Sequence, residues 1–499
     1  MLSVAWRQTE LSWQWNGVAR PWSDRLVTTA RVLAMAAGFV LVQPLLGPWL
    51  PLAARESMTR QPQMRVLVAE GAGMTLRADG AERLQVRGLG PRPLHLVRLQ
   101  VRLSAGRLLV DSPELRGSRQ MRATELTVHS EDPRGIWLGQ RRYGGFLQLM
   151  ARGDRLQVVN HLGVEAYLTS VVGSEMPHDW PLAALQAQAV AARTYALRQR
   201  GGKGRFDVQA TVSSQVYRGL ESATPRTQKA VETTRSLVMA YGGKLINAVF
   251  HSSSGGFTEA SGDVWRTQLP YLVSVPDHDA QSPLHRWTQR FNRRQLQAAF
   301  RETGGVQAVD VLRTSATGRL RSVRVRGPGG SLVLSGRDLR QRLGLKSTMV
   351  SFRWLAPHAS AEPLSWQRQG DGLERDNTVL VGLWRDATLR SRSGAGTTTQ
   401  GQAGAWALMP PPPPVLPPPA LPDPSIAVPS RGHVLVVRGQ GFGHGVGMSQ
   451  WGARGLAEQG ADFRQILEHY YRGVTIRPFH HADDPSMASL PALQTALTS

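Results

Sequence analysis

Residues 170–197, SVVGSEMPHDWPLAALQAQAVAARTYAL, set an acid, Glu175, among Val171, Val172, Met176 and Trp180. An apolar setting disfavours the ionised form of a carboxylic acid. It raises the pKa toward the range where the group donates a proton near neutrality. The spacing places Glu175 in a turn that delivers the chain into a helix beginning at Asp179-Trp180-Pro181, because proline suits a first helical turn and disfavours helix in the residue before it. The positive end of that helix dipole would pull the pKa the other way. Two readings stay open on residues alone: a general acid, or a structural cap or ion pair with Arg193.

Behind Glu175 the helix is rich in alanine, with Leu182, Leu185, Ala189, Ala192 and Ala196 on one small-residue face. Gln188 and Tyr195 share a second line, and Arg193 faces elsewhere. Further along, SSQVYRG (213–219) holds Gln215, and FHSSSGG holds His251, Ser252 and Ser253 in a polar, Gly-ended turn after a short apolar strand. GFGHGVGMSQWGA sets His444 between glycines, which permit close backbone approach, and Gln450 opens a helix after Ser449. Ser449 lacks the second glycine of a nucleophile elbow, so a serine hydrolase is rejected. Asp263, Trp265 and Tyr217 are either groove-lining or core.

These residues need a scaffold. From residue 63 to 155 short β-rich runs such as LHLVRLQVRL alternate apolar and polar and are punctuated by glycine. Mixed α/β text follows, with RRQLQAAFRETG helical and LRSVRVRG extended. Residues 386–431 are Gly/Thr-rich and then Pro-rich (MPPPPPVLPPPALPDPS) and cannot build a core. The piece after them, 432–478, is too short to fold alone, so the Pro-rich stretch reads as a flexible insertion looping out of one domain. The fold class expected is α+β, with a β-rich N-terminal part and a mixed α/β domain at 156–385 and 432–478, then a disordered tail at 479–499.

The 499 residues carry a formal charge of +23 and no cysteine. Disulfides, thiolate-bound zinc and thiol catalysis are therefore excluded. The charge suits an anionic partner, but arginine is spread along the whole chain with no dense basic run, which argues against nucleic acid. VLAMAAGFVLVQPLLGPWLPLAA (32–54) follows Arg20, Arg25 and Arg31 and is broken by Gln43, Pro44, Pro48 and Pro51. Region 1–62 thus reads as an export signal or membrane anchor, the chain's only expected membrane contact.

Four ordered runs carry a resemblance: VEAYLTSVVGSEMPHDWPLAALQAQAVAARTYAL, SSQVYRG, AVFHSSSGGFTEASGDVWRTQLPYLVSV and GQGFGHGVGMSQWGARGLAEQGADFRQILEHYYRGV. Over residues 156–474 the chain resembles the stage II sporulation protein D family and its amidase-enhancer LytB group. The resemblance implies a lytic transglycosylase acting on peptidoglycan glycan strands stripped of stem peptides, in the periplasm or cell envelope. Glu175 matches the family's catalytic acid. Gln188, Arg193, Tyr195, Gln215, His251, Ser252, Ser253, His444, Ser449 and Gln450 become candidate substrate contacts. Some relatives hold zinc with His and Cys. Without Cys that site does not carry over, and no cofactor is expected. The alternative implied is a non-catalytic wall-binding module that stimulates a cell-wall amidase.

Overall fold

A computed structural model describes residues 61–80, 82–115, 121–202, 204–355, 433–480 and 483. The apolar stretch 32–54, the Pro-rich stretch 386–431 and most of 479–499 lie outside the described residues. The architecture is α+β, as expected.

Period-2 patterning builds the first half. In Arg98–Ser104, Leu99 and Val101 are fully buried while Arg98, Gln100 and Arg102 face solvent. From Gln63 to Gly163 the described chain is all strand and turn. A seven-stranded sheet centres on Gln63–Gly71, Arg155–Gly163 and Phe146–Arg152, and takes in Val208–Gln209 from beyond the β-rich part, parallel to Gln63–Gly71. A six-stranded sheet includes Gly73–Arg77 and Arg98–Ser104. Leu76, Leu99 and Val101 of one sheet share a core with Val86, Val128 and Leu149 of the other.

Strand Arg155–Gly163 runs directly into helix α1, Val164–Glu175. Met176, held extended (φ −131°, ψ 143°) ahead of Pro177, ends α1. This corrects one expectation. Glu175 is the last residue of α1, at the negative end of that helix's dipole, and does not sit in a turn at the positive end of the next. Helix α2, Leu182–Gln199, begins after Pro181. Its residues Ala184, Ala187, Ala189, Ala191, Ala192 and Ala196 are fully buried in the same core, where small side chains let neighbouring helices approach. Helix α3, Pro225–Thr233, follows, with Thr224 and Thr227 forming a capping box ahead of the first turn. A short turn of helix, α4, spans Ser261–Val264.

A smaller lobe has its own core of Trp287, Phe300, Val323, Val325, Leu339 and Leu435. It holds helices α5 (Arg293–Ala299) and α6 (Gly336–Leu343) and two three-stranded sheets. In one of these sheets Val434–Gln440 pairs with both Arg286–Phe291 and Met349–Leu355. Leu355 lies opposite Val434, so residues 356–433 leave and re-enter at neighbouring strand ends. The chain then returns to the larger core. Met448–Ser449 pairs in parallel with Phe250–His251, helices α7 (Gln450–Glu458) and α8 (Phe463–Tyr470) follow, and Thr475–Pro478 joins Leu237–Tyr241. Val446, Met448, Trp451, Leu467 and Tyr471 belong to that core. Among the described residues no helix is long and apolar enough to cross a membrane.

Arg193, one of the candidate substrate contacts, is instead a structural tie. It is fully buried, and its guanidinium meets Glu165 of α1 with two bonds, Nε–Oε1 at 3.0 Å and Nη2–Oε2 at 2.6 Å. Nη1 and Nη2 also donate to the carbonyls of Leu237 and Val231, and Glu165 accepts in addition from the Ser236 N–H. Losing one partner strands a buried charge. Arg193→Met is expected to lower unfolding free energy by about 3–5 kcal/mol, seen as a fall in the urea midpoint. An unchanged midpoint would refute the structural role.

Candidate active site

A cavity of about 540 Å³ opens where the two lobes meet, a size suited to part of an oligomeric ligand. Glu175 lies on its wall at the end of α1. Its Oε1 accepts the Val216 backbone N–H at 2.7 Å and its Oε2 accepts the Gln450 side-chain amide at 3.1 Å. Burial pushes its pKa up, and this outweighs the opposing pull of Val216, Gln450 and the Arg218 charge. The open choice left by the residues is thus narrowed. Glu175 has no bond to Arg193, whose guanidinium belongs to Glu165.

The two donors are themselves held. Gln215, next to Val216, is fully buried, donates its amide to the Ala192 carbonyl at 3.1 Å and accepts the Tyr167 hydroxyl at 2.9 Å. Gln450 begins α7, and Ser449 caps that helix by accepting the Gly452 N–H at 3.1 Å. The Trp451 backbone N–H donates to the Ser252 carbonyl at 3.0 Å, which ties α7 to the FHSSSGG turn.

His251 and His444 also line the cavity, with ring centroids 5.4 Å apart, and the Trp265 ring lies 5.5 Å from that of His444. Nδ1 of His251 is 3.2 Å from the Val446 carbonyl, and its Nε2 is buried with no partner. Nδ1 of His444 accepts the Val446 N–H at 3.0 Å. Burial, reinforced by nearby Arg340 and Arg319, lowers the His444 pKa to about 4. Burial first, then the neighbouring His444 and Arg319, drives that of His251 well down too. Both imidazoles are therefore neutral at physiological pH. Gly443 must be glycine: φ is 121°, and a Cβ there would come within 2.7 Å of the His251 Cβ. Among the described residues no group of three or more His, Cys, Asp or Glu side chains is placed to hold a metal ion.

An acidic pair anchors this part of the wall. Asp277 accepts from the Ser254 hydroxyl and from the Tyr470 hydroxyl, the latter at 2.6 Å. Asp279 accepts from the Ser253 hydroxyl, from the Gly255 N–H at 2.7 Å and from His285 at 3.0 Å. Burial and the neighbouring Asp279 charge raise the Asp277 pKa. For Asp279 burial acts upward as well but is overcome by His285, Ser253 and Gly255, so its carboxyl stays ionised and holds His285 protonated to higher pH than usual.

Of the candidate residues, the cavity wall brings together Glu175, Tyr195, His251, Ser252, His444 and Gln450. It does not include Gln188, Arg193, Gln215, Ser253 or Ser449. Gln188 is fully enclosed by the α2 core, with both amide atoms unpartnered. Ser253 is buried against Asp279, and Ser449 is used as a helix cap. Tyr217 is core, donating to Asn160 at 2.7 Å. Two groups escaped the sequence reading. The Val216 N–H is backbone, which side-chain patterns do not reveal, though its motif was singled out. Arg340 lies on α6, whose local sequence marks only a helix.

The fold and site together define an α+β protein with one carboxyl group held between two donors on a cavity wall. The SpoIID family profile, described as "Stage II sporulation protein", matches residues 152–241, from the end of strand Phe146–Arg152 through α1, α2 and α3 to Tyr241. The chain is 28% identical to stage II sporulation protein D of Bacillus amyloliquefaciens over 345 residues, covering 64% of this chain and 75% of the relative. It is 29% identical to the amidase enhancer of Bacillus subtilis over 318 residues, covering 62% of this chain and 40% of that longer protein. An uncharacterized protein of Brachyspira hyodysenteriae is 27% identical over 352 residues, covering 70% and 76%. The chain is thus similar to the SpoIID family and its amidase-enhancer group, sharing the family profile over residues 152–241 and aligning with named members over more than 60% of its length.

The Gln450 amide favours the carboxylate form of Glu175. Gln450→Leu is therefore expected to move the Glu175 pKa further up, read from the ¹³C carboxyl shift of labelled glutamate during pH titration. A downward move would show that the bond has been misassigned.

Proposed function

We propose that this chain is a lytic transglycosylase that cleaves peptidoglycan glycan strands, preferably stripped of stem peptides, with Glu175 as acid and then base. The observation that supports this most strongly is that Glu175 is the single carboxylate on the cavity wall among the described residues, with a pKa raised by burial. A glycosidase that uses water or a protein nucleophile needs two carboxyl groups flanking the bond. A reaction whose nucleophile belongs to the substrate needs one.

The steps follow from that constraint. Glu175 gives its proton to the bridging O4 as the bond from muramic C1 to O4 breaks. The C6 hydroxyl of the same muramic acid attacks C1, and its proton returns to the Glu175 carboxylate. The products are a 1,6-anhydro end and a free 4-hydroxyl, and no water is consumed. The Val216 N–H and the Gln450 amide stabilise the carboxylate between the two transfers. The Tyr195 hydroxyl lines the same cavity and offers lone pairs to a developing oxocarbenium charge there. The N-terminal region 1–62, read as an export segment, would deliver the protein to the envelope where this substrate lies.

The relative named amidase enhancer supports a second reading, a wall-binding partner that stimulates an amidase without cutting glycan. Digestion of amidase-treated sacculi separates the two. Wild type is expected to release 1,6-anhydro products, and Glu175→Gln to reduce them by about a hundredfold or more. Amidase stimulation without anhydro products from the wild type would favour the second reading.

Glu175→Gln is also expected to keep or raise thermal stability at pH 7. A carboxyl whose native pKa lies above its unfolded value costs stability as pH rises through the native pKa, and Gln removes that cost. A large fall in Tm would mean that lost activity reports unfolding.

A further inference from the structure

Among the described residues the cavity wall carries one permanently charged side chain, Arg340, and it comes from the smaller lobe. Helix α6 presents it. Ser335 caps that helix by accepting the Asp338 N–H at 3.1 Å, and Gly344 closes it in the left-handed region. After the turn the Leu345 carbonyl accepts Arg340 Nε at 3.1 Å, which holds the stem of the guanidinium. Its two terminal nitrogens have neither a hydrogen bond nor a carboxylate partner among the described residues. Two buried arginines lie beside an acid: Arg193 is bonded to Glu165, and Arg319 lies 3.7 Å from Glu259. Burial alone lowers the Arg340 pKa, with no acid to offset it.

A second group on the same wall also lacks a partner. His251 Nδ1 faces the Val446 carbonyl and so carries the proton, leaving the buried Nε2 as a free acceptor. The wall therefore asks for a ligand with a carboxylate for Arg340 and a hydroxyl or amide N–H for His251.

We infer that Arg340 is a specificity-determining binding residue whose terminal nitrogens take a carboxylate borne by the bound sugar. Resting on the function proposed above, that carboxylate is the free lactyl group of muramic acid. A stem peptide converts this group to a neutral amide, so the charge at Arg340 distinguishes stripped from peptide-bearing strands. A fork of two parallel N–H bonds matches carboxylate geometry, and lysine would reproduce the charge without the fork.

The test measures equilibrium binding with Glu175→Gln protein, so that turnover does not consume the ligand. Three glycan fragments of equal length are compared: free lactyl acids, the same fragment with each acid converted to the methyl amide, and a peptide-bearing fragment. The acid form is expected to bind at least about tenfold tighter than the methyl amide. Adding Arg340→Gln should bring that ratio to about one, and Arg340→Lys should restore part of it, with thermal melts checking that each variant folds.

Equal binding of acid and amide, a ratio unchanged by Arg340→Gln, or no binding of any fragment would overturn the inference. An Arg340 effect confined to the peptide-bearing fragment would overturn the lactyl assignment. Wild-type product analysis runs beside it. An intact acid-to-amide ratio without anhydro products leaves Arg340 in its role and sinks the transglycosylase reading instead.

Discussion

The buried pair between Glu165 and Arg193 ties together the two helices on which the cavity depends. Each charge is met by several bonds: Arg193 reaches two carbonyls as well as the carboxylate, and Glu165 accepts the Ser236 N–H in addition. In low dielectric an ion pair is tolerable only when its remaining donors and acceptors are satisfied. Here that satisfaction draws in the end of α3 and the start of strand Leu237–Tyr241, so one interaction sets α1, α2 and the adjoining strand in register. The end of α1, and hence the placement of Glu175, follows from it.

Against that rigid side, another part of the cavity wall is a polar assembly. Asp277 and Asp279 gather the hydroxyls of Ser253, Ser254 and Tyr470, and through them the turn that carries His251 and Ser252. Two carboxylates so close share charge unequally. Asp279 is ionised against His285, and Asp277 is biased toward its neutral form. The same low dielectric that raises the Glu175 pKa keeps His251 and His444 uncharged. A proton donor, neutral acceptors and one cation therefore share the cavity without cancelling each other.

The smaller lobe changes what this cavity can select. Without it the described wall would hold Glu175 and neutral groups. By inserting residues 286–355 and 434–440 between the FHSSSGG turn and α7, the fold brings Arg340 to the site on a capped helix. Leu355 and Val434, which flank residues 356–433, lie opposite each other on neighbouring strands of this lobe.

Much was readable from local pattern. Alternation marked the β-rich part, alanine spacing marked α2, and the valines and Met176 around Glu175 marked a desolvated acid. Met176-Pro177 signalled a break, but the residues could not say whether Glu175 ended one helix or preceded the next. That depended on whether VEAYLTSVVGSE would coil, which packing against α2 and the sheet decided. Polar residues were harder to sort. Gln188, Arg193, Gln215, Ser253 and Ser449 have the same chemistry as true cavity residues, and burial is a property of the assembled core. The Gln450 bond to Glu175 joins residues 275 apart, and the Val216 N–H carries no side-chain signature. Local sequence determined the elements and the acid's apolar neighbours because those depend on residues within one or two turns. Which polar groups meet in the cavity was decided by tertiary structure, because hydrogen bonds between distant segments exist only once the chain has closed on itself.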